Sequence, residues 1–322
     1  MRGLRLLLYI GLVAASPARA LTLTNCGQQW LFDKVPQRTL VYTHSALENL
    51  LALGAGPAIM AVVGYRPDQD TAPSPWTSAA RLTARYDPAP WSGEALLAAR
   101  PDFIYSASYY WFNSPETPDR RRLARWGIAT WLAASDCQGQ QSQSARPLTY
   151  DDIFSEFRHV AAIYHASPRA EQVITGLEKQ LTASRRAAQH LPALRMMWWY
   201  SGLNIPYVAG GYGAPALLTR TVGSSNIFAA IRERWPAVSW EVIAARQPDV
   251  LVLGDLRRGA PGDSAADKIA FLERNPLTAG MQAVRQRRYI ILPGYDMDPS
   301  VRTVLALGRL ITQLDTLHTE DN

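Results

Sequence analysis

The chain has 322 residues, 48% of them hydrophobic, and a formal net charge of +6. Arg2, Arg5 and Arg19 fall in the first twenty residues, where no acid offsets them, which leaves +3 for the remaining chain of about 300 residues. That charge is dispersed in short runs such as Arg120-Arg-Arg122 and Arg257-Arg258. Dispersal excludes a dedicated nucleic-acid binder, and the length suits two medium domains.

In chain order, residues 1–20 read as a signal peptide. Arg2 and Arg5 form the basic start, Leu6 to Ala15 the apolar stretch, and Ala18-Arg19-Ala20 a cleavage site. The apolar stretch is too short to span a membrane. Asn25 before Cys26 does not suit lipid attachment, so the mature protein is expected to be soluble, in a periplasm. The arm 21–37 follows, able to form a hairpin. In an oxidising compartment Cys26 and Cys137 read as one disulfide, with two separate buried thiols as the alternative.

The first lobe, 38–166, alternates strands and helices. Strands are predicted at 38–42, 58–64, 103–106 and 129–133, and a helix at 46–53 closed by Gly54. Alternation of this kind predicts a parallel sheet covered by helices. From Ser167-Pro168 to about His190 only Gly176 interrupts a helical pattern. That predicts a helix of roughly 34 Å, a strut over 167–191 between the lobes. The pattern then restarts in a second lobe, 192–322. Here strands are predicted at 195–200, 249–253 and 288–292, and helices at 214–222, 241–245, 279–286 and 300–314.

A phrase repeats across the two lobes. Ser92-Gly-Glu94-Ala-Leu-Leu-Ala-Ala-Arg-Pro101-Asp102 returns as Ser239-Trp-Glu241-Val-Ile-Ala-Ala-Arg-Gln-Pro248-Asp249, with the same Glu-to-Pro-Asp interval. Each copy reads as a capped helix with an acidic first turn, a Pro-Asp stop and then a buried strand.

Ligands of open α/β sheets bind beyond the carboxyl ends of strands. The segments leaving the predicted strand ends are rich in aromatics: Tyr65, Tyr109, Tyr110, Trp111, Trp198, Trp199, Tyr200, Tyr212 and Tyr295. In a strand Trp198 and Trp199 point to opposite faces, so at most one of them can face the cleft. Arg66, Arg257 and Arg258 are the candidates for an anionic ligand. His44, directly after a strand, can ligate metal or serve as hydrogen-bonded scaffold. His159, His165, His190 and His318 form no cluster with it, so a bare metal ion is a poorer expectation than a pre-chelated one. Gly210-Gly211-Tyr-Gly213 lacks the partners of a nucleotide loop and reads as a close backbone approach or a turn. Neither a G-x-S-x-G elbow nor an H-E-x-x-H helix is present, which disfavours the rival reading of a secreted hydrolase.

The run Asn25-Cys-Gly27…Phe32-Asp-Lys-Val-Pro36-Gln-Arg38, then Ser45-Ala-Leu-Glu48…Leu53-Gly54, resembles the start of the periplasmic binding proteins for iron–siderophores and cobalamin. The repeated Glu…Pro-Asp phrases, Gly223-Ser-Ser-Asn226-Ile-Phe228 and Val238-Ser-Trp-Glu241 are similar to the same family. The resemblance covers essentially the whole mature chain. It implies two similar α/β lobes, each with a mainly parallel sheet, bridged by one long helix and holding a ligand in the cleft between them. It further implies a non-catalytic monomer without a resident cofactor that delivers its cargo to the permease dimer of an ABC importer. Glu94 and Glu241 match the positions that dock on that permease, and a carboxylate in a helix first turn is stabilised there. A ferric siderophore is the leading ligand because arginines accompany the aromatics. Cobalamin, then haem held by His44 or a tyrosine, are the alternatives, and a scaffold that has lost its ligand is a third.

Overall fold

The computed structural model describes residues 20–79, 82–113, 115–137 and 146–320. Apart from Ala20, the expected signal peptide lies outside them. Strands β1 (Leu21–Asn25) and β2 (Gln28–Phe32) form an antiparallel hairpin turning at Cys26-Gly27. Cys26 is disulfide-bonded to Cys137. Beside it, the Asn25 amide donates to the Leu132 carbonyl (2.8 Å) and accepts from the Leu132 N–H (2.9 Å). The arm is thereby fastened to the first lobe.

That lobe holds β3 (Thr39–Tyr42), β4 (Ile59–Val63), β5 (Arg85–Asp87), β6 (Phe103–Ser106) and β7 (Ala129–Leu132). Their order is β5-β4-β3-β6-β7, with every pair parallel. The second lobe holds β8 (Arg195–Ser201), β9 (Tyr207–Val208), β10 (Ser225–Asn226), β11 (Val250–Asp255) and β12 (Tyr289–Pro293). Its parallel order is β10-β8-β11-β12, and β9 pairs antiparallel with β8. Two mainly parallel sheets were expected, and they are present. The short strands β5, β9 and β10 carry too few residues to stand out as apolar runs.

Strand alternation sorts side chains into layers. Val41, Met196, Trp198, Val250 and Val252 point into one shared core, whereas Leu40 and Tyr42, or Met197, Trp199, Leu251 and Leu253, point into the outer core of their own lobe. The bridging helix Ser167–Ala187 spans 21 residues, about 31 Å at 1.5 Å per residue. Its buried side chains Ala170, Ile174, Leu177 and Leu181 belong to the shared core. It packs between the helices Tyr150–Ile163 and Thr303–Glu320. The lobes are thus joined through a continuous apolar layer as well as by a strut. The sequence reading passed over the helix Tyr150–Ile163, although Thr149 and Asp152 form a capping box there. The predicted helix 279–286 is broken into Pro276–Ala279 and Gln282–Arg285.

The repeated phrase folds into two matching helices, although Ser92 caps the first by accepting from the Ala95 N–H (3.2 Å) and Ser239 makes no such cap bond on the second. Each copy is a seven-residue helix, Gly93–Ala99 or Trp240–Arg246, closed by a left-handed residue, Arg100 (φ 51°) or Gln247 (φ 44°). Each helix end is clamped by the arginine that leads into the lobe's first central strand. Arg38 donates to the carbonyls of Ala99 (2.6 Å) and Arg100 (3.1 Å), and Arg195 to those of Arg246 (2.7 Å) and Gln247 (3.2 Å). The aspartate of each Pro-Asp stop accepts the N–H of the same arginine: Asp102 from Arg38 (3.0 Å), Asp249 from Arg195 (2.7 Å). Orphan carbonyls at a helix C-terminus are satisfied by cations, so one arginine both ends the helix and sets the strand. Glu94 and Glu241 occupy equivalent first turns and are exposed.

Candidate functional site

Strand order identifies where a ligand can sit. In the first lobe successive strands run outward from β3 to one edge, and the chain then restarts at β6 on the other side of β3. In the second lobe the corresponding reversal lies between β8 and β11. A crevice opens at the carboxyl ends of strands flanking such a reversal. The two crevices face each other across one cavity of about 310 Å³. Thr43, His44, Ser45, Ala107, Ser108, Tyr110 and Trp111 line it from the first lobe, and Tyr200, Arg234, Trp235, Leu256, Arg258, Tyr295 and Asp298 from the second. A larger groove of about 880 Å³ belongs to the second lobe alone, beside the loop 256–264 and the helix Ala265–Arg274. Of these two, the smaller gathers residues from both switch points.

Of the residues predicted from sequence, His44, Tyr110, Trp111, Tyr200, Arg258 and Tyr295 line this cavity. Trp111 stacks on Tyr42 (centroids 5.5 Å apart, 15° between planes) and lies so close to Gly64 that a Cβ there would meet its ring at 2.6 Å. His44 stacks on Tyr295, with centroids 4.3 Å apart.

The other predicted contacts lie elsewhere. Trp199 is fully buried in the outer core of the second lobe, against Trp240 and Phe271. Trp198 is equally buried on the opposite face, where its indole donates to Thr219 Oγ1 (2.8 Å). Neither can reach the cleft, because both faces of a central parallel strand are covered and only its end is open. Tyr65 is buried behind the cavity wall, against both His44 and Tyr295. Tyr109 is tied through its backbone N–H to the Asp136 carboxylate, and Tyr212 is half-buried outside the cavity. Arg66 makes an exposed ion pair with Asp68 (2.9 Å). Arg257 faces the larger groove and Asp255, while its neighbour Arg258 turns to the cleft.

Sequence reasoning missed Arg234, Trp235, Ser45 and Asp298. Arg234 reaches across the cleft to Asp136 (3.3 Å), and Arg258 is held by both oxygens of Asp263 (2.7 and 3.1 Å) over the ring of Tyr200. A signal for Arg234 was present. At Gly210 and Gly211 an added Cβ would lie 2.1 Å from the carbonyl oxygens of Glu233 and Ala229, and both N–H groups bond to the 231–234 segment. The glycines let two backbones touch and so place Arg234 at the cavity. Burial raises the pKa of Asp298, partly countered by Arg234.

Beneath the cavity the lobes meet in a buried polar seam. Arg302, fully buried, leads into the last helix and binds Asp296 (2.6 Å) of its own lobe. In the first lobe it binds Glu48 (3.0 Å), both oxygens of Asp70 (2.8 and 2.9 Å) and the Ala72 carbonyl (2.9 Å). His44, Glu48 and Asp70 could between them hold a metal ion, but the Arg302 guanidinium occupies that position.

A second chain of bonds runs from the Val301 N–H to Asn49 (3.2 Å), from Asn49 to the Tyr105 hydroxyl (2.8 Å), and from that hydroxyl to Glu156 (2.8 Å). Burial pushes the Glu156 carboxyl up to about 7 from 4.5, although Tyr105 and the Ala134 N–H favour its charged form. Between those two values the folded chain holds the extra proton, so stability should fall as pH rises through that window. Glu156→Gln should remove this slope. Denaturant midpoints of wild type relative to the variant should decline from about pH 4.5 to 7 and level off above. A pH-independent difference would refute the assignment.

The sequence profile of the periplasmic binding proteins matches residues 40–295. No curated protein matches this sequence. Among solved structures, a periplasmic binding protein from Veillonella parvula superposes with a TM-score of 0.76 at 21% identity, covering 91% of this chain and 97% of that one. An ABC-type Fe3+-hydroxamate transport system protein from Saccharomonospora viridis gives 0.74 at 21% identity, covering 91% and 98%. The periplasmic haem-binding protein RhuT from Roseiflexus gives 0.66 at 23% identity, covering 86% and 97%. At these identities the structures speak to the fold.

Proposed function

From the premise that this chain belongs to the periplasmic binding protein family, we propose that it captures a metal chelate between its lobes and passes it, unaltered, to an ABC importer. A ferric siderophore is the favoured cargo. The observation that carries this reading is the convergence of both switch points on one cavity walled by Tyr110, Trp111, Tyr200, Trp235 and Tyr295, with Arg234 and Arg258 at its side. Aromatic faces bury a bulky organic chelate, and guanidinium groups complement its negative charge. The structural neighbour from Saccharomonospora viridis, named for Fe3+-hydroxamate transport, supports the same cargo.

Haem is the second reading. The Nδ1 of His44 has no partner and His44 lines the cavity, so an imidazole nitrogen is free for an iron. The RhuT neighbour is haem-binding.

Delivery would use Glu94 and Glu241 as matched contacts on a two-fold permease. The protein would act in the periplasm after removal of its leader. Among the described residues no helix is long and apolar enough to cross a membrane.

Trp111 and Trp235 line the cavity and so report its occupancy. Titrating the ligand-stripped mature protein with ferric hydroxamates, haemin and cobalamin should give saturable one-to-one quenching of tryptophan fluorescence by one class. Haem bound through His44 would also shift the Soret band. Failure of every class to saturate would overturn the chelate reading.

A further inference from the structure

The helix His44–Ala52 begins at the cavity wall, and its start is unusual in what it leaves unbonded. The first N–H groups of any helix have no partner within it and carry the positive end of the helix dipole. A capping side chain ordinarily satisfies one of them, but Thr43, at the cap position, makes no such bond. Three consecutive polar atoms at this point, Thr43 Oγ1, His44 Nδ1 and Ser45 Oγ, are buried without a hydrogen-bond partner. His44 and Ser45 are 2% and 1% exposed, and all three residues line the cavity. Buried polar groups are nearly always paired, so three orphans side by side mark a place where a partner is missing. What the site offers to an anion is donors: helix N–H groups and two hydroxyls. Arg234 and Arg258 face the same cavity from the other lobe. Asp298 is the carboxyl that shares it.

We propose that the start of the His44–Ala52 helix is an oxyanion subsite, and that the chelate this protein carries bears a carboxylate which docks there. The inference rests on the chelate reading and sharpens it. The carboxylate accepts from the helix N–H groups and from Thr43 and Ser45, with Arg234 or Arg258 balancing its charge, while the rest of the chelate lies against the aromatics. Helix N-termini combine aimed donors with a favourable dipole, and hydrogen bonds to a charged acceptor are the strong ones. The subsite therefore orients the cargo and selects acids over neutral chelates. A siderophore with a carboxylate outside the iron shell and a haem propionate share this chemistry.

Matched probes separate the two levels of the argument. Haemin is compared with its dimethyl ester, and a ferric trihydroxamate bearing a pendant carboxylate outside the iron shell with its carboxamide analogue, by fluorescence titration of the mature protein. In the pair that binds, the free acid should be at least roughly tenfold tighter. In the Thr43→Val/Ser45→Ala double variant that ratio should contract several-fold, with the affinity for the uncharged probe retained. Equal binding of acid and uncharged probe would overturn the subsite and leave the chelate reading standing. An acid preference that persists unchanged in the double variant would also overturn it, since the arginines alone would then be reading the charge. Binding of none of the four probes would overturn the subsite, and failure of cobalamin as well would overturn the chelate reading.

Discussion

Replacing Glu94 and Glu241 together by lysine is expected to cut import of the bound chelate by roughly tenfold or more while leaving its affinity unchanged. Both carboxylates project from the first turn of a short helix and lie outside the inter-lobe cavity. Their equivalence is built in at backbone level, because Arg38 and Arg195 clamp the two helix ends through matching bonds. Hydrogen bonding to Ser239 and to its own N–H lowers the pKa of Glu241, so it is charged at neutral pH. Leu97 and Val242, 50% and 41% exposed, lie on the same two helices and supply apolar surface beside each charge. A rim of this composition suits a partner with two equivalent basic patches, and like-charge contacts would oppose docking. Uptake of radiolabelled iron or haem, measured beside a fluorescence titration of the same variant, separates docking from capture. Undiminished uptake by the double variant would reject the docking assignment. Single reversals should give intermediate losses, since each removes one of two contacts.

Arg302→Met should destabilise the fold by about 3–5 kcal/mol, the usual consequence of leaving buried charges without their counterion. Arg302 joins Asp296 to Glu48 and Asp70, three carboxylates buried with it, and Arg309 is the second guanidinium on this group, bound to both oxygens of Asp296 (2.6 Å each). Burial acts to raise the Glu48 pKa, but hydrogen bonds from His44 and Ser74 and the charge of Arg302 outweigh it, and the carboxyl stays below its usual range. A depressed carboxyl adds stability above its unfolded value of 4.5, and that share is lost as pH falls through the folded value. Arg302→Met should therefore lose most near neutral pH and less in acid, where protonation relieves the unpaired carboxylate. Urea unfolding at pH 7 and 4 checks both the size and the trend. A loss under about 1 kcal/mol at pH 7, the range of a surface pair, would show that the seam does not hold the lobes.

Much of the fold was legible in the sequence because local rules wrote it. Short apolar runs rich in β-formers specified seven strands, and the proline start at Ser167-Pro168 with a pattern interrupted only by Gly176 specified the bridging helix. The repeated Glu…Pro-Asp phrase announced two equivalent lobes, since helix starts, stops and buried strands are each encoded within a few residues. The helix Tyr150–Ile163 was legible as well, through Thr149 and Asp152, and was overlooked. The site was only half legible. Residues just past strand ends, such as His44, Tyr110, Trp111 and Tyr295, were identified because the carboxyl ends of a parallel sheet are known from chain direction alone. Arg257 was misplaced because one residue's shift along a loop turns a side chain to the other side, and Trp199 because both faces of a central parallel strand are covered.

What only the tertiary structure decided is which pieces meet. Sequence determined two α/β lobes, a strut and a stock of aromatic and basic residues near strand ends. It could not determine that β3 and β6 flank one switch point and β8 and β11 the other, because strand order is fixed by long-range pairing. Nor could it reveal that Gly210 and Gly211 bring Arg234 to the cavity, or that Arg302 reaches residues more than two hundred positions away. Those contacts arise between segments whose separate patterns carry no mark of each other, and packing of the shared core brings them together.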